Sequence, residues 1–206
     1  MKLPDLAKGV DARARQAAAW AVGSTLFWRG RFSDARQWLP ESAEGRQTLG
    51  WSLALQGERE AALALPHNPM LHFFLDQPEA CLARLGASAD PLESAWAELL
   101  RYWALARLRQ QPDEASAQAA LATLRRLAPC DEARGLAVHA VAAFHRHPVY
   151  ALPHLNHALD LFARFGLHHL EARLLELKAR ALEAGGLLGE AGRFQRAAAE
   201  AAKRHL

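Results

Sequence analysis

Isoleucine is absent from this 206-residue chain, and valine and threonine are scarce. These β-branched residues are stiff at χ1 and favour strands, so an extensive β-sheet is excluded. Cysteine occurs twice, as Cys81 and Cys130, far apart in sequence. That excludes a disulfide framework and suits a reducing compartment. No stretch approaches the roughly 20 apolar residues that cross a bilayer. The start, MKLPDLAKGVDARARQ, lacks the apolar centre of a signal peptide. Together these absences predict a soluble, cytoplasmic protein without a membrane partner.

Catalytic signatures are missing too. There is no phosphate-cradling glycine loop, no nucleophile elbow, no HExxH and no paired-cysteine zinc spacing. The expectation is a protein that is not an enzyme and carries no cofactor. The formal net charge is only +3 although the sequence pI is near 9.2, so nucleic acid is not an expected partner.

What the chain does hold is alanine, leucine, arginine, glutamine and glutamate, residues that lose little side-chain freedom in a helix. The prediction is all-α. Breaks fall at Gly30, Pro40, Gly57, Pro66, Gln110, Pro129 and Gly185-Gly186. With further breaks before Pro78 and Pro91, at the loop leading to Pro148 and before His168, they give helices of about 11–28, 33–39, 41–56, 59–65, 69–75, 78–85, 91–110, 114–127, 131–145, 152–165, 168–184 and 188–203. Glycine at a helix end supplies the left-handed turn cheaply, and proline is tolerated only in a first turn. Glu171, Glu176 and Glu183 share a helix with Arg173, Lys178 and Arg180, and read as a solvated charged face.

The breaks repeat. Gly50 follows Gly23 by the 27 residues that also separate Gly57 from Gly30, and Leu53 and Ala62 stand in the same register to Leu26 and Ala35. Self-similarity of this length marks stacked copies of one supersecondary unit. Trp20-Ala-Val-Gly23-x-x-Leu26-Phe27-x-x-Gly30-x-Phe32-x-x-Ala35 resembles a tetratricopeptide repeat. Leu49-Gly50-x-x-Leu53-x-x-x-Gly57-x-x-x-x-Ala62 follows it, Ala151-x-x-x-Leu155-x-x-Ala158-Leu159 matches a second helix, and Gly186-x-Leu188-x-Glu190-Ala191-x-x-Phe194 matches more loosely. The first two units are shorter than the family's 34 residues. Trp103 stands where the family has a small residue, and residues 67–90 fit no copy.

The resemblance implies a right-handed superhelical stack of antiparallel helix pairs, a tetratricopeptide-like α-solenoid forming one domain over 1–206. Its units would lie near 16–40, 43–66, 93–128, 131–165 and 168–203, with irregular short helices over 67–90. The tail from Ala158 to Phe194 is also similar in composition to helical-repeat regulatory parts of MalT-like bacterial transcription activators.

In the tetratricopeptide family the first helices of successive pairs line a concave groove. The resemblance places Trp20, Ser24, Phe27 and Trp28 of the first unit there, with Gln47, Trp51, Ala54 and Leu55 of the second. Such aromatics either form an apolar groove for a partner helix or extended peptide, or serve as core beneath residues 67–90, with Phe73 and Phe74 folded back on them. Seven of the ten histidines lie between His139 and His169. His154 and His157, at i and i+3, have a spacing that can share a metal, but the expectation is no metal, with the histidines read as polar surface. The expected role is a scaffold binding a protein or peptide partner, with a homo-oligomer also open. The alternative is a ligand- or peptide-sensing regulatory module of a bacterial transcription system.

Overall fold

The computed structural model describes residues 11–204. Residues 1–10, which hold most of the stretch read above for a leader, lie outside the described residues. Among the described residues the structure is all helix and turn, with no strand. The helices are α1 (Ala12–Trp28), α2 (Phe32–Trp38), α3 (Ala43–Leu55), α4 (Arg59–Leu63), α5 (Pro69–Phe74) and α6 (Pro78–Leu82). They continue with α7 (Pro91–Arg107), α8 (Glu114–Leu127), α9 (Pro129–Arg146), α10 (Leu152–Phe165), α11 (Glu171–Ala184) and α12 (Leu188–Lys203). A 3-10 turn, Val149–Ala151, leads into α10. Each of these helices packs against its neighbour in sequence across α1–α2, α3–α4, α5–α6, α7–α8, α9–α10 and α11–α12.

Local chemistry sets the helix starts. The side chains of Asp11, Ser42, Asn68, Asp90 and Asp113 accept backbone N–H bonds from the first turns of α1, α3, α5, α7 and α8. Asp113 therefore stands before α8, and Glu114 becomes its first residue. Proline is accommodated in the first turn of α9, so this helix begins at Pro129, ahead of the predicted Asp131.

Six of the helix ends share one geometry. At Gly30, the N–H bonds the Phe27 carbonyl at 2.8 Å, and the next N–H, of Arg31, bonds Leu26 at 2.9 Å. The same two-bond closure recurs at Gly57, Asp76, Arg109, Gly166 and Gly186, each with positive φ. It is the Schellman arrangement, which satisfies the last helix carbonyls with the chain's own amides. Residues 67–90, which carry no visible copy of the repeat, thus contain α5 and α6 joined by the same turn as α1 and α2. Aspartate at the left-handed position hides it.

The core runs through the middle of the chain. Trp103, Phe73, Phe162, Leu99, Leu124 and Leu155 are fully buried, each contributing about 1.5–3 kcal/mol by apolar burial. Gly135 on α9 lets α7 and α8 approach. A Cβ there would sit 2.6 Å from Leu124 Cδ1 and 2.9 Å from Leu99 Cδ1. Gly23 does the same for Leu39, whose side chain would lie 2.8 Å from an added Cβ.

The chain also closes on itself. The Trp28 carbonyl at the end of α1 accepts the N–H groups of His168 at 2.8 Å and His169 at 3.3 Å, in the connection between α10 and α11. The His169 ring lies among Phe27, Trp28, Phe74 and Phe162. In an open solenoid each unit touches only its neighbours, whereas this contact joins the first hairpin to the fifth connection.

One sequence reading is corrected. Arg173 does not share a solvated face with Glu176. Its guanidinium lies over the Phe73 ring, 4.9 Å from the centroid, donates to the Phe73 carbonyl at 3.4 Å and stands 4.0 Å from Asp76. Asp76 is held mainly by Arg107, at 2.9–3.2 Å. Periodicity placed Arg173 beside the acids of its own helix. A tertiary carboxylate and an aromatic face claimed it instead.

Candidate tryptophan-lined site

Trp28 ends α1, Trp51 lies near the end of α3, and Trp96 sits in the second turn of α7. Their indoles meet in a cleft of about 470 Å³, with Met70 and Leu100 completing the apolar walls. Trp28 and Trp51 pack at 5.9 Å between ring centroids. Asn68 fixes Trp51. Its Oδ1 accepts the indole N–H at 3.1 Å and the Leu71 N–H at 2.8 Å, so the group that caps α5 also orients the cleft wall. Ser88 donates to Glu93 at 2.7 Å and holds the rim formed by residues 86–88 against α7.

Arg134, from α9, supplies the charge. Its guanidinium carbon is 3.9 Å from the Trp28 ring centre, and Nη1 donates to Asp131 at 2.7 Å. Its Nε is buried and has no hydrogen-bond partner. Burial lowers the Arg134 pKa, against the opposing pull of Asp131. A buried donor left unmatched costs about 1–3 kcal/mol. Three indoles and a few polar groups in a concavity of this size have the make-up of a small ligand or side-chain anchor site.

The sequence-predicted groove residues do not share one surface. Trp28 and Trp51 are half-buried and line the cleft. Phe27 is at 0% exposure, inside the core between Trp51, Phe32, Phe74 and His169. Trp20 is 41% exposed and borders a separate shallow cavity with Arg13, Gln16 and Glu44. Ser24 is half-buried and returns its hydroxyl to the Ala21 carbonyl at 3.2 Å. Gln47, Ala54 and Leu55 are half-buried, the last two packed against core. Phe74 does fold back, its ring 6.1 Å from Trp51 and 6.3 Å from Phe27. Sequence reasoning missed Trp96, Met70 and Arg134. Asn68 ahead of Pro69 was the one local signal, marking a capped helix start beside Trp51.

The histidine-rich region builds a polar knot between helices. Glu114 accepts through Oε2 from Arg146 at 2.9 Å and Tyr102 at 2.5 Å, and through Oε1 from Gln118 at 3.0 Å and His139 Nε2 at 2.9 Å. His139 stacks on Tyr102 and meets His154 edge-on at 4.9 Å. Burial opposes ionisation of Glu114, yet the hydrogen bonds from Tyr102, Gln118 and His139 outweigh it and hold its pKa at about 2. Burial and the Glu114 bond push Tyr102 up to about 12. His157 is exposed, and among the described residues no three His, Cys, Asp or Glu side chains are grouped to hold an ion.

No family profile, curated protein or solved structure matches the chain. Among the described residues, no helix is long and apolar enough to cross a membrane.

Proposed function

We propose that the protein is a non-catalytic helical-repeat recognition module, built on a tetratricopeptide-like plan, that binds a protein or peptide partner by an apolar anchor seated in the tryptophan cleft. The observation that carries this reading is the convergence of Trp28, Trp51 and Trp96, from three different helices, on one open concavity of about 470 Å³. Half-exposed tryptophans around a pocket are the residues that dominate binding energy at interfaces. The repeated two-bond turns, the close approach at Gly23 and the buried Phe32 and Ala35 support the repeat plan.

The test is partner capture by the wild type and by Trp96→Ala, whose side chain lines the cleft without joining the α1 closure. A loss of roughly 2 kcal/mol, about thirtyfold in affinity, is expected on truncating such an anchor, with the melting temperature little changed. Equal capture by both proteins would remove the cleft from the function.

One observation favours a second reading, a ligand-sensing regulatory module. Trp28 lines the cleft through its ring and closes the chain through its carbonyl. An occupant that moved Trp28 would act on the contact with His168. A shift in His168 amide exchange on ligand binding is the outcome this reading requires.

A further inference from the structure

Two of the six left-handed turns are not glycine. Asp76, at φ 53°, is explained by Arg107 and Arg173, which its carboxylate faces. Aspartate also tolerates this region better than most residues. Arg109, at φ 57°, has neither excuse. Its guanidinium makes no hydrogen bond or ion pair among the described residues. Capping does not require it, because the main-chain N–H groups of Arg109 and Gln110 already bond the Ala106 and Leu105 carbonyls at 3.1 and 2.9 Å. An arginine is held here against its backbone preference.

Its side chain borders a polar cavity of about 450 Å³, together with Gln110, His145, Arg146 and His147. None of the lining residues is acidic. Arg146 is pinned by Tyr102 at 2.8 Å and Glu114 at 2.9 Å, so this wall is fixed with its charge already paired, and Arg109 carries the unpaired one. Behind it, burial first and then Arg107, Arg173 and Arg180 push His145 down to about 4, with Asp76 opposing them. Beside the cavity, Tyr150 is 77% exposed and edge-on to His147 at 5.8 Å. The neighbouring α11–α12 turn carries Leu188, 70% exposed, and is joined to this end through Val149, whose Cγ2 lies 3.9 Å from an added Cβ at Gly185.

We propose that this cavity is an anion site that takes a phosphate group, with Arg109 as the principal ligand and Gln110 and His147 as further donors. A guanidinium fork grips two oxygens of an oxyanion at once. Donors from both the turn and the end of α9 suit a tetrahedral group with several acceptor oxygens better than a flat carboxylate. The site shares no lining residue with the tryptophan cleft and does not depend on it. The phosphate group belongs either to a soluble monoester or to a lipid headgroup, for which exposed Tyr150 and Leu188 would supply the apolar contact.

The experiment compares the wild type with Arg109→Gly. Glycine relieves the left-handed turn, so the variant should fold at least as stably, which keeps loss of binding separate from loss of structure. Thermal melts are recorded in inorganic phosphate and in sodium chloride of matched ionic strength. In a second arm, both proteins are sedimented with vesicles of phosphatidylcholine, with and without phosphatidylglycerol. The expected result is a phosphate-specific rise of about 2–4 °C in the wild type, at several times the Kd, that is absent in Arg109→Gly. Failure in phosphate, with Arg109-dependent sedimentation on phosphatidylglycerol alone, would support the site and assign it to a headgroup. Equal behaviour of the two proteins in both arms would overturn the proposal, since phosphate stabilises many proteins by exclusion alone.

Discussion

The carbonyl of Trp28 accepts the N–H of His168 at 2.8 Å, joining the end of α1 to the connection that precedes α11. The same residue carries Arg134 over its ring and packs edge-on to His169 at 4.7 Å. One tryptophan thus serves as cleft wall, as platform for a cation and as the joint between distant parts of the chain.

This predicts a difference between two cleft tryptophans. Trp28→Ala removes the platform and the aromatic contact with His169, and should cost about 3–5 kcal/mol, as buried aromatic truncations do. Trp96→Ala removes a cleft wall and some packing against the core, but no platform or closure contact, and should cost less than half of that. Urea denaturation of both variants checks the ordering. Equal losses would mean that Trp28 has no special structural part.

The glycines separate by what surrounds them. Gly135→Ala forces a Cβ against Leu124 and Leu99 and should destabilise by about 1–3 kcal/mol through overpacking. Gly50→Ala meets Leu65 and Ala62 only at 3.7–3.8 Å, inside a helix where alanine is the better former. It should be neutral or stabilising by up to about 1 kcal/mol. Chemical denaturation of the pair tests the local packing of α9 and α3 in one series.

Asp76→Ala should destabilise more than its exposed position suggests. It removes the carboxylate that faces Arg107 and Arg173, and it leaves alanine in a left-handed turn. A loss of about 2–3 kcal/mol is expected from an unpaired cation plus backbone strain. Asp76→Gly should recover the strain part, roughly 1 kcal/mol, and no more. Comparing the two melts separates the charge effect from the backbone effect.

Acid should unfold the protein in two stages. His145 is lowered from 6.5 to about 4, by burial first and then by neighbouring arginines. Its neutral form is favoured in the fold, so its contribution is whole above pH 6.5 and declines as pH falls to 4. His72 and His154 are also lowered, burial being the first cause in each, and act in the same direction below pH 6.5. Glu114, lowered from 4.5 to about 2, contributes above pH 4.5 and is lost as pH falls to 2. Melting temperature should therefore fall first between 6.5 and 4 and again below 4.5. His145→Gln should flatten part of the upper limb, and Glu114→Gln part of the lower one, which it shares with Asp76, where burial is outweighed by Arg107, which holds the carboxyl low. An unchanged upper limb in His145→Gln would rule His145 out as its source.

How much of this was legible beforehand follows from the range of each interaction. Gly30, Gly57 and Gly186 announced their turns because glycine is the cheapest left-handed residue. Asp76 and Arg109 make the same turn without glycine, so the prolines mark the short helices at 69–75 and 78–85 while nothing local marks the turn that joins them as a pair like α1 and α2. Trp28 and Trp51 were visible as aromatics at repeat positions, whereas Trp96 and Arg134 join them only through tertiary packing. Phe27 carries the same local signature as Trp28 but is wholly buried, whereas Trp28 keeps part of its ring on the cleft. A repeat pattern specifies which positions face a neighbouring helix. It does not specify which neighbour arrives.

The contact between Trp28 and His168 bears on how the chain comes apart. A linear array held only by nearest neighbours loses its end units first, and its melting broadens as units leave one by one. Here the first hairpin is fastened to the connection before α11 as well as to α3, so fraying at the amino-terminal end must break two unrelated interfaces at once. The closure thus ties the stability of the amino-terminal hairpin to that of α11.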